Sequence, residues 1–136
     1  MSAGRRGSNR ERQVMANLRD DGWVVYRAAG SHGCADLVAL KRERKPLLVQ
    51  VKCSAQGPFE HFGPEERRLL VEQAEVAGAD AFLCWWPSRK KPQWLHSDVW
   101  PAGRPTRKKL ERLIEASGGD TEHALRVAHI TEGGRS

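Results

Sequence analysis

Cysteine is scarce in this chain: Cys34, Cys53 and Cys84 are an odd set with no CxxC pair. That excludes a closed disulfide framework and a ribbon-type zinc site, and leaves reduced packing residues. Long hydrophobic runs are missing as well. None approaches the roughly 20 apolar residues that cross a bilayer, and the basic start, MSAGRRGSNRER, has no apolar stretch behind it like that of a signal peptide. An intracellular, cytoplasmic protein with no membrane partner is expected. The chain has no internal repeat, and it lacks the run of exposed aromatics that stacks unpaired RNA bases.

What is present suits one globular domain. The 136 residues are 39% hydrophobic and 29% charged, with a net charge of +6 that favours an anionic partner, nucleic acid being the usual one. Residues 1–7 read as a flexible basic arm. Ser8 or Asn9 can cap a helix running to Asp21, with Gly22 to end it and Val14, Met15 and Leu18 as its apolar stripe. Counting back by helical spacing from that stripe lands on Glu11, an inward carboxylate. WVVYRA (23–28) reads as a strand, and DLVALKRERKPLLVQVK (36–52) as a hairpin turned through KRERKP. The stretch 54–63 reads as a mobile loop. Pro64 opens a helix carrying Leu69, Leu70, Gln73, Ala74 and Ala77 before Gly78. AFLCWW (81–86) reads as a buried strand, 94–100 as a further one, and 117–136 as a flexible tail. The order describes an α/β fold with a mixed central sheet flanked by helices.

The hairpin carries an anomaly. Alternation puts Leu48, Gln50 and Lys52 on one face and Leu47, Val49, Val51 and Cys53 on the other, so an amide and an ammonium stand together where aliphatics would fit. Asp36 at the start of the partner strand can meet them, and Glu11 can approach from a helix on that same face. Asp36, the Gln50 amide oxygen and the Val51 carbonyl form a hard oxygen set of the kind Mg²⁺ takes. Lys52 stands where an ammonium can assist a water or offset charge on a phosphate. Taken singly, each residue has an ordinary structural explanation.

Helix residues Glu11 and Arg12, the stretch GWVVYRAAGSHGCADLVAL and the strand LLVQVK together resemble the PD-(D/E)XK nuclease superfamily, and more closely the archaeal-type Holliday junction resolvases. The resemblance covers roughly residues 8–100 and implies a restriction-endonuclease-like core within a nuclease domain at 8–116. It implies a catalytic set of Glu11, Asp36, Gln50 and Lys52 with Ser31 in the loop before Asp36, and Mg²⁺, replaceable by Mn²⁺, held by Asp36, Gln50, the Val51 carbonyl and Glu11. Arg12 and Arg27 match further family positions and are expected to contact DNA phosphates. His32, Arg10, Phe59 and Phe62 are added as expected DNA contacts, the two phenylalanines as wedges. Ala35 replaces the nominal proline, and Gln50 the usual acidic residue. The implied activity is metal-dependent resolution of four-way DNA junctions by a homodimer meeting through the second helix and strand 81–86. The alternatives are a nuclease for flaps, mismatches or other branched DNA, and a DNA-binding module without catalysis.

Overall fold

The structure is a computed structural model describing residues 2–28, 35–87 and 91–117. Ser31, His32 and Cys34, together with most of the expected tail, lie outside the described residues. The elements run α1 (Ser2–Asp20), β1 (Val24–Arg27), β2 (Leu37–Leu40), β3 (Leu47–Cys53), α2 (Pro64–Ala77), β4 (Asp80–Trp86), β5 (Gln93–His96), a single 3₁₀ turn (Ser97–Val99) and α3 (Arg107–Ser117). α1 begins at Ser2, ahead of the Ser8 or Asn9 cap suggested by the sequence, so the stretch expected as an arm belongs to the helix.

One five-stranded sheet in the order β1-β2-β3-β4-β5 organises the chain. β3 and β4 pair in parallel, crossed over by α2, and the other pairs are antiparallel. The sheet is therefore mixed, as expected. Alternation sorts the strands onto two cores. On one face Val25, Leu37, Ala39, Leu47, Val49, Val51, Phe82 and Cys84 pack with Val14 and Leu18 of α1. On the other, Leu83, Trp85, Leu95 and Leu48 meet Leu70 and Ala74 of α2, Phe62, and Leu113 and Ile114 of α3. Burying both faces is what a near-continuous apolar strand such as β4 needs.

Three details differ from the sequence reading. Strand 81–86 is buried throughout and flanked by β3 and β5, so it offers no outer surface for a dimer. In α2 the inward stripe is Arg67, Leu70 and Ala74, while Gln73 and Ala77 are exposed. The segment 54–63 is pinned: Gly57, Pro58 and Phe62 are buried, and Phe62, 1% exposed, meets Trp100 edge to face. Phe62 thus serves the core, and its expected role as a DNA wedge is withdrawn. Phe59 is half-buried, its ring stacked by the Arg67 guanidinium 4.9 Å away, which occupies it locally.

A buried polar cluster at the opposite end of the sheet was not anticipated. Asp80, the first residue of β4, accepts from His96 Nε2 at 3.0 Å and faces Lys45 Nζ at 3.4 Å. Burial pushes its carboxyl up, but the His96 hydrogen bond and the Lys45 charge outweigh that and hold it below the ordinary value.

Candidate active site

The register of the β2–β3 hairpin builds the site. Leu37 lies opposite Val49 and Val38 opposite Leu48, which sets Asp36 just beyond β2 at the level of Gln50 and Val51. No strand residue remains there to take the Val51 N–H, and the Asp36 carboxylate takes it instead: Val51 N donates to Asp36 Oδ2 at 2.8 Å. Gln50 Nε2 donates to the same oxygen at 3.1 Å. The Asp36 backbone is fixed on both sides, its N–H donating to the Val49 carbonyl and its carbonyl accepting from Ala28 N, each at 2.8 Å. Gln50 is 8% exposed, and a buried amide needs such partners.

Electrostatically, Asp36 is held in tension. Burial raises its carboxyl above the ordinary carboxylate value, the Val51 N–H pulls it back, the neighbouring Glu11 charge adds to the rise, and the Lys52 and Arg27 charges lower it. The net direction is upward, as expected for a partly desolvated carboxylate close to a second one. Such a group gains from any cation brought to it.

Glu11 reaches this corner by a route different from the one expected. α1 packs on the face of Leu47, Val49 and Val51, whereas Gln50 and Lys52 point to the other face. Glu11 therefore stands over the edge from the opposite side of the sheet, where its Oε1 pairs with Arg27 Nε at 2.9 Å. Arg27 is the last residue of β1, so the pair ties helix to strand next to Asp36. Arg12 is exposed on α1. Arg10 is half-buried, with its guanidinium 4.5 Å from the centre of the Trp86 ring at the end of β4. Asp36, Gln50, Lys52, Glu11 and Arg27 thus converge at one edge, while Phe62 does not join them.

The donor set fits a hard divalent cation. Both described bonds to the Asp36 carboxylate fall on Oδ2. Among the described residues no group of three or more His, Cys, Asp or Glu could hold a metal alone, so a cation here would rely on one carboxylate, neutral oxygens, water and substrate. Oxygen donors of this kind suit a hard divalent cation.

A mixed sheet crossed by a helix between β3 and β4, with an Asp at the start of one hairpin strand and a Gln-x-Lys on the next, is a PD-(D/E)XK nuclease-like core. A family model for archaeal Holliday junction resolvases (Hjc) matches residues 2–125. The chain belongs to that family. It is 33% identical over 79 residues to crossover junction endodeoxyribonuclease Hjc of Methanocaldococcus jannaschii, an alignment covering 58% of this chain and 57% of that protein. It is 32% identical over 83 residues to the protein of the same name from Sulfurisphaera tokodaii, covering 57% of each. The chain thus spans under two thirds of the length of these curated relatives. In structure it is similar to Hjc of Archaeoglobus fulgidus, a Holliday junction resolvase, with a TM-score of 0.70 at 21% identity over 88% of this chain and 94% of the other. At that identity the likeness establishes the fold.

Arg67 and the contacts that join Lys45, Asp80 and His96 escaped the sequence reading. For Arg67 a signal existed: it stands on the same helical row as Leu70 and Ala74, which are both buried. Asp80 reads as a bounding residue, and only the paired strands bring His96 and Lys45 to it.

Proposed function

We propose that the protein is a divalent-metal-dependent endodeoxyribonuclease that resolves four-way DNA junctions. The observation that carries this reading is the partly buried Asp36 carboxylate, set by the β2–β3 register against Gln50, Val51 and Lys52 with Glu11 and Arg27 beside it. Membership of the resolvase family and the names of the curated relatives support it.

In this reading Asp36, the Gln50 amide oxygen, the Val51 carbonyl and Glu11 would hold the cation. Mg²⁺ is the expected ion and Mn²⁺ a substitute. The bound ion supplies Lewis-acid charge at the phosphate and a water of lowered pKa. Gln50 currently turns its N–H toward Asp36, so offering oxygen requires the amide to turn over about its last torsion, which is a soft rotation. Lys52 places a positive charge where negative charge develops on the phosphate oxygens. Water adds to phosphorus as the bridging P–O bond breaks, leaving a phosphate monoester and a hydroxyl. Arg27, Arg12 and Arg10 neutralise flanking phosphates, and Ser31 and His32, which precede Asp36 in the sequence, are the residues expected at the scissile one. Paired cuts need two sites, hence a homodimer, for which the outer face of α2, with Val76 91% exposed, is the surface assigned.

The test is cleavage of an end-labelled four-way junction and of a linear duplex of matched sequence with Mg²⁺. Symmetric paired nicks confined to the junction, abolished by EDTA and by Asp36→Ala, are expected. Cutting of flaps or linear duplex at equal rates would move the substrate to other branched or unbranched DNA. A second reading has its own observation: Gln50 turns an N–H donor, not an oxygen, toward Asp36. If the protein binds junctions tightly yet cuts nothing with Mg²⁺ or Mn²⁺, it is a DNA-binding module.

A further inference from the structure

A groove of about 530 Å³ opens between two segments far apart in sequence. Gln56, Phe59 and Glu60 line one wall, and Arg104, Arg107 and Leu110 the other. The first wall is the chain that leaves β3 directly after Lys52 and Cys53. It runs on the face of the sheet to which Gln50 and Lys52 point: the Ser54 carbonyl accepts from Trp85 Nε1 at 2.8 Å, and Phe59 packs with the core that includes Leu83, Trp85 and Leu113.

The groove is braced rather than incidental. Arg67, 4% exposed, donates to the Phe62 carbonyl on one side and to the carbonyls of Pro101 and Gly103 on the other, at 3.1 and 2.7 Å for the latter two, while its guanidinium lies on the Phe59 ring. One buried cation therefore holds both walls at a fixed separation. The walls also meet directly: a side chain on Gly57, whose φ is +139°, would start 3.2 Å from Leu110. Two arginines line the opening with Glu60, and Arg107 is 95% exposed, with a long 3.7 Å pairing to Glu111 among the described residues. A braced cleft with a cationic wall suits the phosphate backbone of a single nucleic acid strand. Its volume is that of a small-molecule pocket, too small for a duplex and enough for a nucleotide or two.

We propose that this groove, between residues 55–60 and 104–110, is a subsite for the single DNA strand that continues from the phosphodiester held at Asp36 and Lys52, with Arg104 and Arg107 on its phosphates. The proposal rests on the nuclease reading above and adds where a strand unpaired at the branch travels.

The experiment is fluorescence anisotropy of the full chain with a labelled junction in EDTA, so that cutting plays no part. The double variant Arg104→Ala/Arg107→Ala is expected to bind about tenfold more weakly, with its plot of log affinity against log salt shallower by roughly 1.4, the release expected for two single-strand phosphates. Arg104→Lys/Arg107→Lys is expected to recover most of the affinity. Neutral methylphosphonate linkages next to the branch should weaken the native chain and leave the Ala double variant unaffected. Equal melting temperatures of the variants exclude misfolding, since both arginines are exposed. Unchanged affinity and slope in the double variant, or losses from arginine and phosphate removal that simply add, would overturn the subsite and leave the nuclease reading standing. Failure of the native chain to bind any junction would overturn both.

Discussion

Replacing Gln50 by Glu restores the acidic residue that the superfamily motif carries, and in the metal-free protein it should do harm. The native amide donates to Asp36 Oδ2 at 3.1 Å. A glutamate puts an anionic oxygen in place of that donor, removing a hydrogen bond to a charged group worth about 1.5–3 kcal/mol. It also sets two like charges about 3 Å apart, a repulsion of roughly 5 kcal/mol at an effective dielectric constant near 20. Rotation of the introduced carboxylate away from Asp36, or uptake of one proton by the pair, relieves part of this, leaving a net loss of about 2–3 kcal/mol. For a domain of this size that is a fall in melting temperature of roughly 6–12 °C. Asp36 is already raised by burial, so the added carboxylate drives the pair's upper folded pKa further above its unfolded value. The penalty is therefore full above that folded pKa, shrinks as pH falls through it and is gone below the unfolded value. Thermal melts of Gln50→Glu and the native chain in EDTA between pH 5 and 9 check this, as does the same pair with Mg²⁺, which should recover the loss by binding only the folded state. No destabilisation at high pH, or one that grows on acidification, would refute the account of the Asp36–Gln50 contact.

Three further outcomes follow from the packing. Arg67→Met leaves the carbonyls of Phe62, Pro101 and Gly103 without their donor and should cost about 3 kcal/mol by chemical denaturation. Asp80→Asn keeps a partner for His96 but loses the charge facing Lys45. Because the folded pKa of Asp80 is depressed, its contribution is present above the ordinary 3.8 and is lost as pH falls through the lower folded value. The stability difference, about 1–2 kcal/mol at pH 7, should thus begin to shrink only below about pH 4 and close once pH has fallen through the lower folded value. Phe62→Ala should cost about 3–4 kcal/mol, as expected for an aromatic 1% exposed against Trp100, whereas a DNA wedge would lose junction affinity at unchanged stability.

Much of the site was legible because period-two alternation is a strong local rule. It put Gln50 and Lys52 on one face, and β3 obeys it. Alternation says nothing about which face receives which helix, and so Glu11 was placed on the wrong side of the sheet while being correctly brought to the same corner. Val14 and Leu18 followed from helical spacing, but Arg67 did not, because a guanidinium on an inward row is stabilised only by carbonyls supplied from residues 62, 101 and 103. Phe62 was misread for a related reason. Its glycine- and proline-rich surroundings look loose in sequence, and the partner that buries it, Trp100, is remote along the chain. Asp80 with Lys45 and His96 likewise exists only once β3, β4 and β5 are aligned.

The central claim is that Asp36 and Gln50 form a divalent-cation site even though an amide stands where an acidic residue is usual. Calorimetric titration of Mn²⁺ and Mg²⁺ into the native chain and into Asp36→Ala tests it most directly. The account predicts saturable heat at one set of sites in the native chain, absent from Asp36→Ala at unchanged fold, and tighter binding by about tenfold in Gln50→Glu. Identical isotherms for the native chain and Asp36→Ala would contradict it.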